Sequence, residues 1–354
     1  MVITNAFTGG NISISCIDGD IIYLERELRD TEGDWFYWAF YVEGAQGRNL
    51  TFRFPNKARV GRFGAAVSKD FVNWSWTNTG MDDTFTYSFG VDDDRIWFAH
   101  NMLYIPDRFT GFVKSKGLIT ERFCASQKGL DLPCLKIEGA DDDKWVVMTA
   151  RHHACESTGN YVLEGVLDEI IGKIPKGYSI LVVPFMDYDG VINGDQGKNR
   201  KPYDHNRDYD LGGGDAIYDS VRCLREFAVS HRIAASNDFH SPWHMGAQND
   251  YVFFSRSITS MEASTDDFGE LLKAETKDSV MKYTGEHDVG PNEAWNNEKT
   301  PCSKNWFGHL PEIRLSVTLE TPYFGMPDSV TTQYNMLELG RAYGRAMLTW
   351  LNKH

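Results

Sequence analysis

Trp145-Val146-Val147-Met148-Thr149-Ala150-Arg151-His152-His153-Ala154-Cys155-Glu156-Ser157-Thr158-Gly159 is the stretch on which the fold turns. Its first six residues are an apolar run of strand length, which the polar residues from Arg151 to Glu156 interrupt. Beyond Gly159, the residues Val162, Leu163, Val166, Leu167, Ile170 and Ile171 recur at helical spacing. The pattern reads strand, loop, helix, with His153 and Glu156 on the connection. In open α/β sheets, the crevice at the carboxyl ends of the strands is where ligands bind.

Three other segments repeat this placement. The run from Ile180 to Met186 has a buried-strand pattern and leads into the turn signal Asp187-Tyr188-Asp189-Gly190. A weaker strand, Ile233 to Asn237, runs straight into Asp238-Phe239-His240. The alternating run from Ile313 to Leu319 delivers Glu320 at its end. Every candidate polar group therefore ends or follows a strand.

These residue types point to a metal. An imidazole and a carboxylate three residues apart can close on one face of a zinc ion, with a third ligand, His240, supplied from far along the chain. The fourth position is left for water, as in a catalytic rather than a structural zinc centre. His152 is a rival ligand, but only His153 has the three-residue spacing to Glu156. His244 pairs with His240 at a spacing that would suit one helix face, and Pro242 argues against a helix there. Between these segments, the loop from Gly194 to Tyr209 gathers Lys198, Arg200, Lys201, Asn206 and Arg207 in an otherwise acidic chain. An arginine fork suits a carboxylate, so Asn206 and Arg207 could grip a terminal carboxylate and Arg200 could stabilise a developing oxyanion.

Taken together, His153-x-x-Glu156, Asp187-x-Asp189-Gly190, Asp204-x-Asn206-Arg207, Asp238-Phe239-His240 and Thr318-Leu319-Glu320 resemble the zinc metallocarboxypeptidase family (peptidase family M14). Within it they are most similar to the subgroup typified by cytosolic carboxypeptidases. The resemblance implies one zinc ion held by His153, Glu156 and His240. It further implies Glu320 as general base, Arg200 as the cation that polarises the scissile carbonyl, and Asn206 and Arg207 as the grip on a peptide's α-carboxylate. Asp204 would stand behind His153 and fix its imidazole. Ala154-Cys155 replaces the subgroup's usual Pro-Gly between the ligands, and Asp187-Tyr188 stands where Asn-Pro is common. The activity implied is removal of a C-terminal residue or of an acidic branch. The alternatives are a related zinc amidohydrolase acting on acyl amino acids or cell-wall peptides, and a non-catalytic binding protein derived from a peptidase.

The remainder of the chain sets the architecture. Its 354 residues exceed what a single core usually supports. Short β-rich segments around Ile12, Phe36 to Val42, Leu50 to Phe54 and Ile96 predict an N-terminal antiparallel β-sandwich over residues 1–105. Residues 106–354 are expected to form a mixed-sheet α/β catalytic domain. The aromatic cluster of Trp35, Phe36, Trp38, Phe40, Tyr41, Trp74 and Trp76 is read as packing rather than as a sugar site. The aperiodic stretch 285–306 is expected to be a long loop that could shape the specificity pocket, and 329–351 a closing helix.

A net charge of −14 argues against a nucleic-acid partner. The six cysteines form no CxxC pair, so reduced thiols are expected, and Cys155 lies between two candidate ligands. No apolar run reaches membrane-spanning length, and Met1 to Asn5 lacks the character of a signal peptide. A cytoplasmic location is the expectation.

Overall fold

The computed structural model describes residues 1–55, 57–139 and 144–354. Its centre is a seven-stranded mixed sheet ordered Glu121–Ala125, Asp131–Ile137, Tyr178–Val183, Lys144–Ala150, Ile233–His240, Leu315–Glu320 and Phe253–Arg256. The four strands from Tyr178–Val183 to Leu315–Glu320 run parallel, and those outside them are antiparallel. Parallel strands are covered on both faces, which explains the unbroken apolar runs Trp145 to Met148 and Ile180 to Val183. Along Lys144–Ala150 the side chains alternate: Val146, Met148 and Ala150 enter one hydrophobic cluster, Trp145 and Val147 the other.

Helices cover both faces. Thr158–Ile170, Glu262–Thr276 and Gln333–Leu351 pack on one, Asp219–Ser230 and Ser303–Gly308 on the other. Thr158–Ile170 and Gln333–Leu351 touch backbone to backbone. A Cβ on Gly165 would lie 2.2 Å from the Leu337 carbonyl oxygen, and one on Gly340 2.1 Å from that of Val162. Only glycine fits at this crossing. From Lys144–Ala150 the chain passes to a neighbour on one side, Tyr178–Val183, and then to the opposite neighbour, Ile233–His240. That reversal opens a crevice at the carboxyl ends of the central strands.

The N-terminal region contains two further sheets. Val2–Thr4, Ala39–Glu43, Arg95–Ala99, Ala66–Ser68 and Ser75–Trp76 form one, and Ser13–Asp18, Ile21–Glu25, Asn49–Arg53 and Thr84–Ser88 the other. Trp38, Phe40, Phe52, Phe85 and Phe98 from both sheets share one core, with Trp38 stacked on Phe85 at 5.6 Å. The pairing is not wholly antiparallel. Ile21–Glu25 runs parallel to Asn49–Arg53 because between them the chain leaves to build Ala39–Glu43 in the other sheet, where a hairpin would have reversed it.

Phe36, Trp74 and Trp76 do not belong to that core. They join the cluster that continues beneath the seven-stranded sheet, and the Trp76 indole donates to the Thr331 carbonyl at 2.7 Å. Packing is thus continuous between the two regions. The segment 285–302 carries no helix or strand, and the short helix Ser303–Gly308 follows it. Asp187, expected in a turn, instead caps the helix Tyr188–Asn193 by accepting from the Gly190 amide at 3.0 Å. Among the described residues, no helix is long and apolar enough to cross a membrane.

Candidate active site

The parallel register assembles the site. Strand pairing sets His240 opposite Glu320 and Asp238 between Thr149 and Thr318. Lys144–Ala150 ends just before His153, so three adjacent strand ends deliver His153, Glu156, His240 and Glu320 to one cleft of about 530 Å³. Asp204, Asn206 and Arg207 also line it, as do Lys198 and Lys304.

Glu156 is the hub. Its Oε1 lies 2.8 Å from His153 Nδ1 and 2.5 Å from Lys198 Nζ, and its Oε2 lies 2.8 Å from His240 Nδ1. Burial works against the Glu156 carboxylate, but His153, Lys198 and His240 outweigh it and hold its pKa well below the usual range. Each histidine is backed by a carboxylate: Asp204 Oδ1 is 3.3 Å from His153 Nε2, and Asp238 Oδ2 is 2.8 Å from His240 Nε2. Asp204 also accepts from the amides of Asn199 and Asn206, at 3.0 and 2.8 Å. His153, Glu156 and His240 offer one donor atom each within 4.8 Å of one another, a candidate metal centre.

Burial raises the Glu320 carboxyl above its usual range; His240 opposes the shift and Glu156 reinforces it. Glu320 Oε2 is buried with no hydrogen-bond partner among the described residues. Asn206 is buried beside His240, its Oδ1 accepting from the Ser303 amide at 3.0 Å, while Arg207 is exposed on the cleft wall.

Arg200 does not lie where the sequence reading put it. It lines a separate pocket of about 70 Å³, with Nη2 at 2.6 Å from Asp195 and 2.9 Å from Asp187, and Nε 3.6 Å from Asp30. Three carboxylates hold the guanidinium away from the cleft. The lysine two residues earlier enters instead. Gly197 adopts a φ of +77° so close to the ligand loop that a Cβ there would meet the Ala154 amide at 2.1 Å, and this approach carries Lys198 over Glu156.

The rival histidines are occupied elsewhere. Buried His152 bonds through Nδ1 to Asp238 at 2.9 Å and through Nε2 to the Tyr209 hydroxyl at 2.7 Å. His244 Nδ1 meets His100 Nε2 at 2.8 Å, and His205 stacks on Tyr218. Cys155 is buried beside the Tyr323 hydroxyl, and burial pushes its thiol up to about 12, so it is no thiolate. Tyr323 itself packs among Phe36 and His100.

Lys304 is the residue the sequence did not reveal. It is 7% exposed, lines the cleft, and its Nζ bonds to Asn296 Oδ1 at 2.8 Å and Cys302 Sγ at 3.6 Å, with no carboxylate partner among the described residues. Asn296 is itself pinned by donating to the carbonyls of Arg256, Val289 and Gly290. Two other basic residues are already paired with carboxylates. Arg256 is bound by Asp266 and Asp288, and Lys201 by Glu32 at the surface. Nothing local distinguishes Lys304 in sequence, because its neighbours in the cleft are fixed by the loop before it.

The whole chain superposes on a metallo-carboxypeptidase from Pseudomonas aeruginosa, with a TM-score of 0.79 at 18% identity over 100% of both chains. It does so equally on one from Burkholderia cenocepacia, at 0.79 and 21% over 99% of each. The fold is that of the metallo-carboxypeptidases. In sequence, the chain is similar to cytosolic carboxypeptidase 2 of Xenopus tropicalis, 26% identical over 196 residues, 48% of this chain and 20% of the relative. An uncharacterised protein of Zymomonas mobilis is 26% identical over 211 residues, 54% of this chain and 55% of that one. The match thus spans about half or less of these relatives' own length. No protein-family model matches the chain. The metallocarboxypeptidase resemblance carried by the motifs therefore extends to the fold.

Proposed function

We propose that this chain is a zinc-dependent carboxypeptidase that hydrolyses the C-terminal amide bond of peptides. The observation that carries this reading is the convergence of His153, Glu156, His240, Glu320 and Arg207 on one cleft. The donor set fits zinc: two imidazole Nδ1 atoms face a shared carboxylate, and carboxylates behind the rings hold their Nε2 atoms. Bound there, zinc would polarise a carbonyl and lower the pKa of water towards neutrality.

The protein's own groups do the rest. Glu320, kept short of a partner and raised by burial, accepts a proton from water and returns it to the leaving amine. Arg207, with Asn206, holds the substrate's α-carboxylate, which restricts cleavage to the chain end. Lys198 rather than Arg200 faces the scissile carbonyl, because only Lys198 reaches the cleft. Lys304 selects an acidic C-terminal side chain, whose carboxylate would supply the partner its ammonium lacks. We assign residues 106–354 to catalysis and residues 1–105 to a β-sandwich that rims the cleft through Trp35, which packs on Trp243 at 5.2 Å.

The test is zinc content by elemental analysis together with release of amino acids from a mixed peptide library. Glu320→Gln should keep zinc and lose about 10²–10⁴-fold in turnover. A fully active Glu320→Gln enzyme would refute the mechanism.

A further inference from the structure

Behind the cleft lies a line of buried groups for which hydrolysis itself has no use. Tyr209 OH meets His152 Nε2 at 2.7 Å, His152 Nδ1 meets Asp238 Oδ1 at 2.9 Å, and Asp238 Oδ2 meets His240 Nε2 at 2.8 Å. Thr149 Oγ1 donates to Asp238 Oδ1 at 2.8 Å. Tyr209 and His152 are fully buried, and Asp238 and His240 nearly so. His152, Asp238 and His240 also bring donor atoms within 4.8 Å of one another, but each nitrogen of His152 already has a partner.

We propose that Tyr209, His152 and Asp238 are positioning residues that fix which nitrogen of His240 faces the cation site. The inference rests on the zinc reading above. A phenol in this setting has one proton to give, and His152 Nε2 is its acceptor here. His152 then carries its hydrogen on Nδ1 and donates it to Asp238. A carboxylate accepts only, so Asp238 takes that bond, the Thr149 bond and the Nε2 hydrogen of His240 together. His240 is left with an Nδ1 lone pair directed at the Glu156 side of the site, which is the orientation a metal ligand needs. Donation converges on Asp238 from both rings, so a tyrosine beyond His152 keeps that carboxylate a pure acceptor and through it holds the tautomer of a ligand.

An asparagine at position 238 could not accept from both rings at once. Asp238→Asn should therefore weaken zinc binding about 10–100-fold in competition with a chelator. Tyr209→Phe should weaken it in the same direction by a smaller factor, and adding it to Asp238→Asn should cost little more, since one line of bonds is already broken. The ¹⁵N spectrum of ring-labelled protein provides a second readout that needs no metal: His152 should show the Nδ1–H tautomer, and Tyr209→Phe should disturb it. Equal zinc affinity in the wild type and Asp238→Asn, or His152 carrying its hydrogen on Nε2, would overturn the proposal while leaving the zinc reading intact. A wild type that binds no zinc but shows the expected His152 tautomer would overturn the zinc reading and, with it, the role assigned here. A merely structural network would lower the apoprotein's melting temperature in each variant without changing zinc affinity.

Discussion

Two cations, part-buried Arg200 and buried Lys304, stand in opposite electrostatic settings. Arg200 faces the carboxylates of Asp30, Asp187 and Asp195, so its charge is more than balanced. Lys304 is buried against an amide oxygen and a thiol, with no carboxylate among the described residues. Burying an ion without a counter-ion is costly, and proteins retain such groups where a ligand supplies the opposite charge. The contrast separates a cation that holds the loop in place from one available to a substrate. It also explains why Arg200, the chemically apt choice for an oxyanion, stays out of the cleft.

The largest effect is expected at Arg200. Arg200→Gln would strand three buried carboxylates, and a loss of about 3–5 kcal/mol in stability by denaturant unfolding is expected, with folded enzyme retaining zinc. If the variant were as stable as wild type but unable to turn over, Arg200 would be catalytic after all. At Lys304 the pattern should invert. Lys304→Met should leave stability unchanged or improved, yet reduce kcat/KM for peptides ending in Glu or Asp by about 10–100-fold relative to those ending in Leu. An equal loss on both peptide classes would show that Lys304 does not read the side chain.

The smallest effect sharpens the balance of charges around Arg200. Burial raises Asp187 to about 7 against the opposing pull of Arg200. The folded state then holds a proton that the unfolded chain releases between about pH 4 and 7, so stability from this group falls as pH rises through that window. Asp187→Asn should flatten that decline by about 1 kcal/mol, measured as the difference in thermal unfolding at pH 6 and pH 7. A wild type and variant with parallel profiles would place the proton elsewhere in the cluster.

Much of the centre of the molecule could be read from the chain. Strand, loop and helix around His153 follow from a run of apolar residues giving way to helical periodicity, and the observed elements, Lys144–Ala150 and Thr158–Ile170, match it closely. Ile233 to Asn237 looked weak because Ser236 and Asn237 interrupt its apolar character, yet Ile233–His240 is wholly buried, with Asn237 Oδ1 accepting from the Tyr343 hydroxyl. In the N-terminal region several strands were legible, among them Ala39–Glu43, Asn49–Arg53 and Arg95–Ala99, but Ile21–Glu25 and its parallel pairing were not, since the pairing depends on which sheet the chain visits in between.

Residue types and spacings in the chain alone set out the groups on offer: an imidazole and a carboxylate three residues apart, a second imidazole and a second carboxylate each at a strand end, and an adjacent asparagine–arginine pair. Local periodicity and residue type suffice for that. Only the tertiary structure decided which cation reaches the cleft, which histidine turns away from it, and that Lys304 lies buried there without a counter-charge. The physical reason is range. Strand and helix signals are written in neighbours a few residues apart, whereas the charge balance of Arg200 or Lys304 is set by groups that only packing brings within a few ångströms.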